Sequence, residues 1–213
     1  MRTDDLIAAL SADVDPMPRR AVGRHLALGL GTGVAISAAL LVLWLGVRTD
    51  LMHALASGPF WMKFVYAASV AVLGFGLIDR LARPDGEGGV FGPLILAPLG
   101  VMIALALYQL AGASAAERMA LMMGHSSQVC ARNIVVLSAP IFLGLFWSLR
   151  ALAPTRLTLA GTVAGIVAGA AGTAIYAFHC NESAAPFVVI WYTLGIAAVG
   201  LIGALLGRLM LRW

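Results

Sequence analysis

What this chain lacks most is charge. Asp, Glu, Lys and Arg make up 11% of its 213 residues, less than half the usual share of about 25%. No ionisable residue falls near the centre of any of its long apolar runs, which counts against an ion path or a proton-coupled transporter. It has no paired-carboxylate site, no phosphate-binding loop and no His-Glu-x-x-His zinc motif, so hydrolytic and nucleotide chemistry have no anchor. Its basic residues never cluster with aromatics, which excludes a nucleic-acid groove. There are two cysteines, Cys130 and Cys180, and no Cys-x-x-Cys pair, the close pairing on which rapid thiol exchange usually relies.

What is present is hydrophobic. Apolar residues reach 61%, against about 45–50% in globular domains, and the mean hydropathy is +0.94. Six runs, at about 25–47, 60–78, 90–110, 133–149, 157–178 and 186–207, approach the length needed to cross about 30 Å of hydrocarbon, the fourth being short. The first run, behind Arg19 and Arg20, exceeds the core of a signal peptide and reads as a retained span. With the N-terminus inside, ten of the 14 Lys and Arg (2, 19, 20, 24, 80, 83, 150, 156, 208 and 212) fall in cytoplasmic segments. Only Arg48, Lys63, Arg118 and Arg132 fall outside. This bias places both termini in the cytoplasm. Gly161, Gly165 and Gly169, Gly29 and Gly33, and Gly203 and Gly207 have the small-residue spacing of helix packing in lipid. Trp44, Trp61, Tyr108, Trp147, Tyr176, Trp191 and Tyr192 suit interfacial belts. The expected fold is an all-α integral membrane protein, a bundle of six transmembrane helices preceded by a short cytoplasmic helix.

Met1 to Pro18 is the stretch polar enough to act in water. Thr3 suits a helix start, and Asp4 and Asp5 follow where the helix dipole favours negative charge. Leu6, Ile7, Leu10 and Val14 recur at helical spacing, with Asp13 and Asp15 off that stripe and Pro16 and Pro18 ending it. About ten residues of helix are unstable alone in water. Three readings remain open: a frayed terminus, an amphipathic helix on the bilayer, or a docking peptide for a basic cytoplasmic protein. Aspartates rather than lysines on the polar face weigh against the bilayer.

Cys130 precedes the fourth run, Cys180 follows the fifth, and both are equally distant from Thr155 in the turn between them. An antiparallel hairpin of equal rise brings them to one height on the outer side, where disulfides are permitted. A structural disulfide, two packing residues, or a redox- or metal-responsive pair would each fit. His125, His179 and Glu182 lie near, as do Met119, Met122 and Met123. Thiolate, thioether and imidazole suit copper(I); without the methionines they suit zinc or cadmium. Loop histidines without a ligand role are an equally fair reading, and Glu182 could orient a ligand instead of being one.

The whole chain resembles the negative regulators of sigma F, six-span membrane anti-sigma factors of proteobacteria. The resemblance rests on Thr3-Asp4-Asp5-Leu6-Ile7-Ala8-Ala9-Leu10 with Pro16 and Pro18 downstream, on the six runs, and on the outer cysteines with His179-Cys180-Asn181-Glu182. It implies a docking tail at 1–24 and a sensor domain embedded in lipid at 25–213. The tail would hold an extracytoplasmic-function sigma factor, with Asp4, Asp5, Leu6, Ile7, Leu10, Asp13 and Val14 at the contact. Cys130 and Cys180 would receive a stress signal such as heavy metal or oxidant, with no obligatory cofactor and no enzymatic activity. A membrane thiol oxidoreductase is the main rival reading. A metal transporter is a second, disfavoured by the uncharged span centres.

Overall fold

The computed structural model describes residues 2–12, 21–83, 89–152 and 154–212. Asp13 and Val14 of the expected contact lie outside the described residues, as does the side chain of Leu10.

Helix α1 (Thr3–Ala12) is the expected tail helix. Its Leu6 and Ile7 are exposed, and the Arg2 N–H donates to the Asp5 carboxylate in its first turn. Span one is α2 (Ala21–Leu40), continued by a turn of π-helix (Leu41–Leu45). It stops at Gly46, whose φ of 75° is one that glycine adopts without steric cost. The short α3 (Leu51–Leu55) leads to span two, α4 (Gly58–Leu81). Span three is α5 (Phe91–Leu94) and α6 (Ala97–Ala111). An unexpected helix, α7 (Ala115–Met123), follows in what the sequence reads as a polar connection. It is started by a capping box, in which Glu117 accepts from the Ser114 N–H and the Ser114 hydroxyl accepts from the Glu117 N–H. Span four is α8 (Ser127–Leu152), and span five is α9 (Leu157–Tyr176). Span six joins α10 (Ala185–Phe187), a second π-helical turn (Val188–Tyr192) and α11 (Thr193–Met210).

Six helical segments are thus long and apolar enough to cross a membrane, and no strand occurs among the described residues. Hydropathy begins span four at Asn133, but the helix starts at Ser127. Arg132 points outward while Cys130 and Asn133 turn into the bundle, so part of the polar sequence that continues the helix is buried inside it.

Span five is the axis of the bundle, the most deeply buried of the six. Apolar surface gains nothing by leaving lipid, so association depends on close packing. At the α9–α11 crossing a Cβ on Gly161 would run into the Gly203 carbonyl, and one on Gly203 into the Gly161 carbonyl. Only hydrogens fit between these backbones. Span three is the least buried and turns Val101, Leu107 and Tyr108 outward. Side chains inside the bundle form two main clusters. One surrounds Leu26, Ile78, Leu145 and Leu149 near the start of span one. The other surrounds Cys130, Tyr176, Cys180, Phe187 and Tyr192 at the opposite end.

Candidate functional site

The α8–α9 hairpin does what its symmetry about Thr155 predicts. Cys130 sits in the first turn of α8 and Cys180 just past the end of α9. Their thiols lie within hydrogen-bonding reach of each other. Both are free and buried, at 0% and 3% exposure. Tyr176 and Tyr192, expected in an interfacial belt, instead flank the pair and are buried. Tyr176 is within hydrogen-bonding reach of Cys130 and of the Asn133 amide. The Tyr192 hydroxyl makes no regular hydrogen bond among the described residues, and the two sulfurs are among its polar neighbours.

The Cys180 loop is tied down from three sides. The Lys63 ammonium of α4, 1% exposed, donates to the carbonyls of Cys180 and Glu182. The Arg48 guanidinium donates to the same Cys180 carbonyl at 3.2 Å, and the Arg48 N–H to the Phe178 carbonyl at 3.0 Å. His179 Nδ1 meets the Gly46 carbonyl at 2.9 Å. From the third side, Glu182 Oε1 accepts from the His125 and Ser126 N–H groups at 2.7 and 3.1 Å and from the Ser126 hydroxyl. A carboxylate at that place answers the free N–H groups that open α8.

Electrostatics follow from this frame. Lys63 has no carboxylate within ion-pair distance among the described residues, so carbonyl dipoles and the neighbouring sulfurs carry its compensation. The Cys180 thiol is brought down to about 6 by the hydrogen bond from Cys130, with help from the Lys63 charge and against the effect of burial. Asp50 is held at about 2 by the guanidinium of Arg48. That pair fixes the Arg48 side chain over the loop.

The expected metal ligands are only partly gathered. The two sulfurs adjoin. The His125 ring is fully exposed, His179 is engaged by Gly46, and Glu182 serves the start of α8. No group of three or more His, Cys, Asp or Glu side chains able to hold a metal converges among the described residues. A soft ion at the pair would therefore take two protein sulfurs, a set that suits soft, thiophilic ions. Met119 and Met123 are exposed on α7. Sequence reasoning missed Lys63, Arg48 and the two tyrosines. Lys63 carried a usable signal: it is the only lysine in the chain and lies inside an apolar run, where an ionisable residue marks function by default.

The comparisons agree with one another. The family model described as "Negative regulator of sigma F" matches residues 10–213. The chain is 38% identical to "Anti-sigma-F factor NrsF" of Caulobacter vibrioides and 36% identical to "Probable anti-sigma-F factor NrsF" of Azospira oryzae, in each case over 100% of both chains. No solved structure matches it. Full-length identity at this level, together with the family match, establishes that the chain belongs to the negative regulators of sigma F, a family whose role is regulatory and not enzymatic.

Proposed function

We propose that this protein is an inner-membrane anti-sigma factor that retains an extracytoplasmic-function sigma factor through its N-terminal tail and releases it when Cys130 and Cys180 meet oxidant or soft metal. Both termini are cytoplasmic and the cysteines face the periplasm. The observation that carries the reading is the adjoining, buried cysteine pair at the end of the bundle opposite the root of the tail. Leu6 and Ile7, exposed on α1, fill a hydrophobic groove on the sigma factor together with Leu10 and Val14. Asp4, Asp5 and Asp13 meet its basic residues. A two-electron oxidant takes two electrons and two protons from the thiols and leaves one disulfide. A soft divalent ion displaces the two protons instead.

Co-purification from the native membrane in mild detergent tests the docking half, comparing the full chain with one lacking residues 1–18. A small sigma factor retained by the first and lost from the second is the expected result. Its absence from both, in unstressed cells, removes the proposal. Oxidant or cadmium should then release it from the full chain but not from Cys130→Ser/Cys180→Ser.

A further inference from the structure

We infer that span one carries the signal, because it is fastened to both cysteine-bearing segments and leads to the tail. The inference rests on the functional reading above and supplies its missing middle.

At its outer end span one is bonded to the Cys180 loop. The Gly46 carbonyl meets His179, and Arg48 serves the carbonyls of Phe178 and Cys180. Along its length it is seated on α8, whose first turn holds Cys130. Ser37 Oγ donates to the Leu137 carbonyl at 2.5 Å. Gly33 faces the backbone of Pro140 and Ile141, and Gly29 faces that of Gly144 so closely that neither could bear a Cβ without displacing the other helix. Ser148 Oγ then donates back to the His25 carbonyl at 3.0 Å. Residues 137 to 148 therefore form one continuous seam of roughly 16 Å along the helix axis. It ends at His25, beside the root of the tail.

The geometry makes the seam a transmitter. A disulfide draws the sulfurs to about 2.05 Å, and a bridging soft ion sets each at about 2.3 Å from the metal. Either changes the spacing between the first turn of α8 and the 178–182 loop. Span one is bonded to that loop through residues 46–48 and to α8 from Leu137 onward, so it cannot keep its place against each of them. Backbones in direct contact have no flexible side chains between them to absorb a shift, and packed interfaces change in steps rather than by degrees. The yielding points are also in place. Pro140 has no N–H, which removes one rung from the ladder of α8 beside Gly33. The π-helical turn at Leu41–Leu45 and the positive φ of Gly46 interrupt span one near the loop.

The test uses full-length protein in native membranes with its retained sigma factor, exposed to diamide or to cadmium ion. Two quantities are read: the fraction of sigma factor leaving the membrane, and the state of the cysteines by thiol labelling. Ser37→Ala/Ser148→Ala removes both side-chain bonds of the seam while keeping its shape. Its cysteines should react as in the wild type, and release should fall by about fivefold or more. Thr193→Val, which breaks the 2.7 Å Tyr66–Thr193 bond between α4 and α11, should release normally. Gly29→Ala, which pushes a methyl group at the Gly144 carbonyl, should impair release without touching the thiols. If that variant does not accumulate, the serine pair decides. Wild-type release from the serine variant overturns the inference, as does an equal loss in Thr193→Val. A wild-type protein that retains no sigma factor, or that ignores cysteine modification, fails differently and removes the functional reading itself.

Discussion

At the scale of single residues, two thiols of the same chemistry have been made unequal. Cys180 accepts the hydrogen bond of Cys130 and lies near Lys63, so its thiol is more acidic than an ordinary one. Alkylation of Cys180 by a small reagent should therefore rise through a midpoint below that of an ordinary thiol. In Cys130→Ala the donor is gone, and the midpoint should move upward toward the ordinary thiol range; an unmoved midpoint would show that Cys130 does not set it. Lys63→Met keeps the length of the side chain but leaves the Glu182 carbonyl without its ammonium donor, while Arg48 still serves Cys180. Leaving a buried acceptor unmet costs about 1–3 kcal/mol. Thermal unfolding in detergent should show that loss, and the labelling midpoint of Cys180 should move to higher pH, because the Lys63 charge no longer favours its thiolate.

At the scale of elements, the tail and the central hairpin make separate demands. If α1 docks through its apolar face, Leu6→Asp/Leu10→Asp should free the sigma factor without stress, read as constitutive expression of its target promoter; unchanged repression would leave the tail without its assigned role. The α9–α11 crossing has no room for a methyl group. Gly203→Ala should cost about 1–3 kcal/mol by overpacking, measured as a lower unfolding midpoint, because the obstacle is the Gly161 backbone and not a movable side chain. The hairpin is legible in the order of residues alone. Equal spacing of Cys130 and Cys180 about Thr155, with two apolar runs between, is enough to place the sulfurs together. Helix α7 carries a legible start in the capping box Ser114-x-x-Glu117, which hydropathy alone passes over; the early start of α8 is not legible, because hydropathy measures preference for lipid and says nothing of polar residues such as Ser127 and Asn133 that face inward. The tyrosines depart from expectation for a related reason. Trp61 and Tyr108 are exposed as an interfacial belt requires, whereas Tyr176 and Tyr192, equally amphipathic, turn inward to the sulfurs. Composition gives depth in the bilayer, and only packing gives the direction around the helix.

At the scale of the whole molecule, the chain places its arginine-rich helix ends and its thiol pair at opposite ends of the bundle. Arg24, Arg150, Arg156 and Arg208 mark one end, while the thiols, Lys63 and the Glu182 clamp mark the other. In intact spheroplasts, a small membrane-impermeant thiol reagent should reach the cysteine end from outside, while protease should reach the tail only after lysis; the reverse pattern would invert the proposed topology. The burial of both sulfurs then limits what can reach them. A reagent as bulky as glutathione disulfide cannot approach an atom whose residue exposes only 0% or 3% of its surface. Under the function proposed above, the bundle would act as a sieve placed before its own chemistry, favouring signals small enough to pass between the helices.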